Sequence, residues 1–137
     1  MKKIDIISAA NILAGIPLNK IKDDKVKFTV IADYRAIRKV AREIEDDRTT
    51  VIEKFQKDFA EEIETVKQLR SEGRVVSGHN AFLKAEKDTN KILADMMQEE
   101  ASVPGLKTVS FEDFVKAVKD IELTMESVAA LDGIVLK

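Results

Sequence analysis

The sequence predicts a mainly α fold: a long antiparallel helical hairpin or bundle with a small terminal subdomain that has room for a two-stranded sheet, a minor α+β element. Three observations carry this. From Tyr34 onward, apolar residues recur at alternating three- and four-residue spacings, which is helix periodicity. Charged residues make up 35% of the chain and are of both signs; that exceeds the usual quarter and suits long solvated helix faces. Only five Gly and two Pro supply turns, too few for a fold of many short strands. The 137 residues fit one domain with a modest core. Residues 1–137 are therefore read as a single domain, with the hairpin over about 31–101 and the terminal segments packing together.

The elements follow in order. A short strand is an option at Ile4–Ile6, and Ser8–Gly15 (SAANILAG) favours a helix that Gly15 and Pro17 stop. Leu18–Lys25 is polar and turn-like around Asp23 and Asp24. Val26–Val30 (VKFTV) alternates apolar and polar residues, which is strand periodicity. Asp33 is placed to cap the following helix. Its stripe runs Tyr34, Ile37, Ala41, Ile44, Arg48, Val51 and Phe55, then shifts register to Phe59, Ile63, Val66 and Leu69. Such a shift lets a helix change partners. Unbroken to Gly73, this helix would be about 58 Å long, so a break near 58–60 is an alternative. Val75 and Val76 are expected to tuck under a helix. Asn80 is expected to cap a second helix over Ala81–Ala101, ended by Pro104 and Gly105. Over 106–119 strand and helix are both open: Lys107–Phe111 could pair with Val26–Val30, while Ser110-x-x-Asp113 resembles a capping box. Thr124 opens a last helix through Leu131, and Ile134, Val135 and Leu136 form a terminal apolar cluster.

The chain has no Cys, which rules out disulfides, thiolate metal sites and Cys nucleophiles and fits a cytoplasmic protein. Asp5 interrupts the apolar run after Lys2 and Lys3, against a signal peptide. No run of about 18 apolar residues occurs, so no membrane partner is expected. His79 is the only histidine; it has no elbow motif or second ligand beside it. The carboxylate groups Glu43/Asp46/Asp47, Glu61/Glu62, Glu99/Glu100 and Asp120/Glu122 read as solvated faces. No Glu-x-x-His element, P-loop or calcium loop accompanies them. Catalytic residues, metal ligands and cofactors are therefore all set at none.

Residues 1–42 carry ten Lys/Arg against four Asp/Glu, net +6, and 43–137 carry 13 against 21, net −8. Packing of the two regions on each other would neutralise them. The alternative is an anionic partner for the first third. Arg35, Arg38 and Arg42 share one helical face and could grip phosphates without reading sequence. Pairing with Glu43, Glu45 and Asp46 one turn on is the structural alternative.

The stretches KVKFTVIADYRAIRKVAREIEDDRTTVIEKF, HNAFLKAEKDTNKIL and IELTMESVAALDGIVLK resemble, in their order and pattern, a family of small uncharacterised proteins encoded in phage head and tail gene modules. The resemblance spans most of 25–137. It implies a bacterial or prophage origin and a role in virion assembly or another protein–protein task, with no catalytic residues to carry over.

The stripe from Tyr34 is longer than the second helix can cover, and a long exposed apolar seam is disfavoured. The expected role is a non-enzymatic assembly or interaction protein, homo-oligomeric or bound to another protein through Ile44, Val51, Phe55 and Phe59. The alternative is a nucleic-acid-binding or regulatory module using Arg35, Arg38 and Arg42.

Overall fold

A computed structural model describes residues 1–137. It is mainly helical: α1 (Lys3–Gly15), a 3₁₀ turn at Leu18–Lys20, α2 (Asp24–Asp58), α3 (Ala60–Ser71), α4 (Asn80–Gln98), α5 (Phe111–Ala117) and α6 (Met125–Leu131). The chain divides into two compact units, Met1–Ile44 with Gln98–Lys137, and Glu45–Met97. Helix α2 contributes to both.

The first unit holds nearly all of the core. α1 turns Ile6, Ala9 and Leu13 inward and packs against α6, whose Leu131 is fully buried. The strand option at Ile4–Ile6 gives way to α1, because Ile6, Ala9 and Leu13 recur at helical spacing. Val26–Val30 is also helix. Asp23 Oδ1 accepts from the Val26 amide at 3.0 Å and caps α2 ten residues before the cap assigned to Asp33. Inward positions Val26, Val30, Asp33, Ile37, Ala41 and Ile44 recur at threes and fours. A five-residue alternation cannot outweigh a helical stripe of that length. The consequence is that Phe28 faces out, at 64% exposure.

Lys107–Phe111 therefore has no strand mate at 26–30. Its partner is the chain's last residues: the Val109 amide donates to Val135 O at 2.8 Å, and the Lys137 amide to Val109 O at 2.9 Å. These are isolated bridges, and no strand forms. Ser110 resolves the ambiguity over 106–119 toward helix, its side chain accepting from the Asp113 amide at 3.2 Å. Thr124 caps α6 in the same way, accepting from the Ser127 amide at 3.1 Å. Ile134, Val135 and Leu136 are buried, so the terminal cluster docks.

Asp33 is the one buried charged residue, at 0% exposure. Its Oδ1 accepts from the Lys107 amide at 2.7 Å and its Oδ2 from the Thr108 amide at 2.9 Å. Instead of capping its own helix, it ties the 107–108 loop to the middle of α2. Thr108 holds φ +56 there, a conformation that a β-branched residue keeps only when its surroundings over-determine it.

The second unit comprises the last part of α2, α3 and α4. The long helix breaks at Phe59 (φ −127, ψ 29), where the stripe shifts register. Gly73 ends α3 at φ +69. The Arg74 amide bonds Leu69 O at 2.9 Å and the Gly73 amide bonds Arg70 O at 3.1 Å, the paired bonds of a Schellman stop. Val75 does not tuck under a helix; it is 87% exposed. α4 starts at Asn80 itself, which is not its cap, and ends at Gln98, short of Ala101. No helix is long and apolar enough to cross a membrane.

Candidate functional site

The proposed seam residues fall in two environments. Ile44 is 3% exposed and belongs to the core of the first unit. Val51, Phe55 and Phe59 lie in the second unit and are half-buried. Phe55 and Phe59 meet at 5.4 Å between ring centroids. Both meet Phe82 of α4, at 5.4 Å for Phe55 and 5.7 Å, edge-on, for Phe59. Tilted and edge-on contacts of this kind add about 0.5–1.5 kcal/mol per pair beyond the area they bury. Phe82 thus supplies part of the partner that the seam requires. Its match to Phe55 and Phe59 was not read from the sequence, because helix spacing says nothing about which α4 residue faces them.

Beside this cluster runs an open groove of about 480 Å³ within the second unit. Ile52, Phe55, Ile63, Val66, Phe82 and Leu93 make it largely apolar, and Gln56, Lys67, Arg70, Glu86, Thr89 and Asn90 complete its lining. Arg70 and Glu86 join α3 to α4 through two parallel bonds of 2.9 and 2.8 Å. The bonds from Arg70 hold the Glu86 carboxyl below its usual range. Those to Glu86 push Arg70 up. The pair is a bidentate clamp between α3 and α4 in the groove's lining. Of residues 45–97, only Val66 and Phe82 are fully buried; every other buried side chain belongs to the first unit.

Arg35, Arg38 and Arg42 are exposed on α2 together with Lys39. None of the four is in an ion pair. The pairing expected with Glu43, Glu45 and Asp46 does not form. Glu45 instead faces Arg48 at 3.8 Å, and Arg48 is exposed.

His79 is half-buried, with Nδ1 3.2 Å from Glu62 Oε2. That contact joins the loop before α4 to α3. No three acidic or histidine side chains converge as metal ligands do.

No family model matches the chain, and neither a curated protein nor a solved structure matches it.

Proposed function

We propose that this is a non-enzymatic, cytoplasmic protein of assembly or protein–protein interaction, self-associating through the groove of its second unit. The observation that carries the reading is the poverty of that unit's own core. Three helical segments enclose only two fully buried side chains, Val66 and Phe82. Meanwhile Ile52, Phe55, Ile63 and Leu93 stay half-exposed along the groove, and Val51 and Phe59 stay half-exposed in the same unit. Helices derive most of their stability from packing an apolar face, and a face left half-wet gains only part of it. A second copy laying its own α2 stripe into the groove would complete that core, as amphipathic helices do in helix-in-groove recognition. A role of this kind suits the phage head and tail modules that the sequence pattern resembles, and a prophage origin belongs to the same proposal.

The test is sedimentation of Ile52→Glu and Leu93→Glu beside the parent. Both side chains line the groove and are half-buried. Each substitution is expected to weaken association by at least about tenfold, or about 1.4 kcal/mol, with helicity by circular dichroism retained. Unchanged association in both variants contradicts the groove as the contact.

A further inference from the structure

Phe28 shares one face of α2 with a run of cations. At about 100° per residue, Phe28, Arg35, Lys39 and Arg42 fall within about 60° of one another, with Lys25 and Arg38 on their flanks. Between Lys25 and Arg42 the only acid is Asp33, and it is fully buried on the opposite side, bonded to the 107–108 amides. Every exposed charge over that length is therefore positive. Lys27 is engaged by Asp24 at 3.5 Å, while Arg35, Arg38, Lys39 and Arg42 have no ionic partner. In line with them stands Phe28, 64% exposed, with the Lys27 ammonium 5.4 Å from its ring centroid and the rest of the ring open to a stacking partner.

We propose that this face binds single-stranded nucleic acid, with phosphates on Arg35, Arg38, Lys39 and Arg42 and a base stacked on Phe28. Unpaired cations attract phosphates without regard to sequence. An exposed aromatic ring offers a stacking platform that any base can use. A duplex keeps its base faces inside its own stack, so the ring selects for a single strand. Membrane adsorption requires a continuous apolar face, and here the face that begins with Phe28, Ile31 and Ala32 continues with the exposed cations Arg35, Lys39 and Arg42. The site lies in the first unit and does not depend on the groove.

The experiment is fluorescence anisotropy with labelled oligothymidylate DNA and oligouridylate RNA of equal length, a duplex, and vesicles of anionic phospholipid. With four phosphate contacts, single-strand affinity should fall roughly 50-fold between about 50 and about 200 mM salt. Equal binding of DNA and RNA assigns the contact to phosphate and base alone, and an RNA preference adds the 2′-hydroxyl; both support the site. Phe28→Ala should weaken binding about 5- to 150-fold at an unchanged salt slope. Its helicity should be kept, because the ring is largely in water. Arg35→Gln, Arg38→Gln and Arg42→Gln together should cut the salt effect to about threefold. No single-strand binding at low salt, duplex bound as tightly as single strand, an indifferent Phe28→Ala, or binding confined to the vesicles would each overturn the proposal.

Discussion

Asp33 shows what a single side chain can contribute when it is buried. Its carboxylate receives two backbone amides from a loop 74 and 75 residues away. Removing the acceptor leaves two part-buried amides without their partner, each at up to about 1–3 kcal/mol. Asp33→Ala is therefore expected to lower stability by about 2–4 kcal/mol. Asp33→Asn should cost less, since one oxygen remains to accept. Urea unfolding measures both, and an Ala variant within about 0.5 kcal/mol of the parent, the range of an ordinary surface change, would contradict this role. The sequence pointed to Asp33 as a cap because an Asp before an amphipathic stripe commonly is one. Its true donors lie at 107–108, and no local pattern reports a partner at that separation. Thr124 and Gly73 were legible for the opposite reason, and Ser110 was legible as one of two alternatives: each acts on amides or carbonyls within a few residues of itself.

At the scale of elements, α2 decides most of what the molecule presents. Its stripe was legible from Tyr34 onward, and so was the register shift at Phe59, where the helix breaks. Its start was not. The alternation of Val26, Phe28 and Val30 mimics a strand, and only the longer stripe through Ile44 shows that the same residues continue a helix. That misreading turned Phe28 inward and hid an aromatic ring from the basic face. The α3–α4 connection depends on Arg70 and Glu86. Glu86 titrates below its ordinary value of 4.5 in the folded chain because Arg70 bonds its charged form. The stabilisation is thus complete above that ordinary value and is lost as pH falls through the depressed one. Glu86→Gln should lower the melting temperature at neutral pH, and the gap to the parent should close as pH falls below 4.5. A gap that stays constant on acidification would contradict the clamp.

On the scale of the whole molecule, the two units differ in how far they satisfy themselves. Residues 1–44 and 98–137 bury an aliphatic core, as a chain without Trp and with few aromatic residues must. Residues 45–97 bury two side chains and keep a half-wet apolar groove. The sequence signalled this imbalance through the surplus length of the first stripe over the second. It could not say that Phe82 would cover part of the surplus, or that Ile44 would be taken into the other unit's core. The proposed sites are divided as well: Arg35, Arg38, Lys39 and Arg42 belong to one unit and the groove to the other, so assembly and nucleic-acid binding can be tested by separate variants.

The most direct test of self-association is light scattering on a sizing column over a dilution series. Self-association through the groove gives a mass of at least twice 15.3 kDa at high concentration, falling toward the single-chain mass on dilution. A mass of 15.3 kDa at every concentration would contradict it.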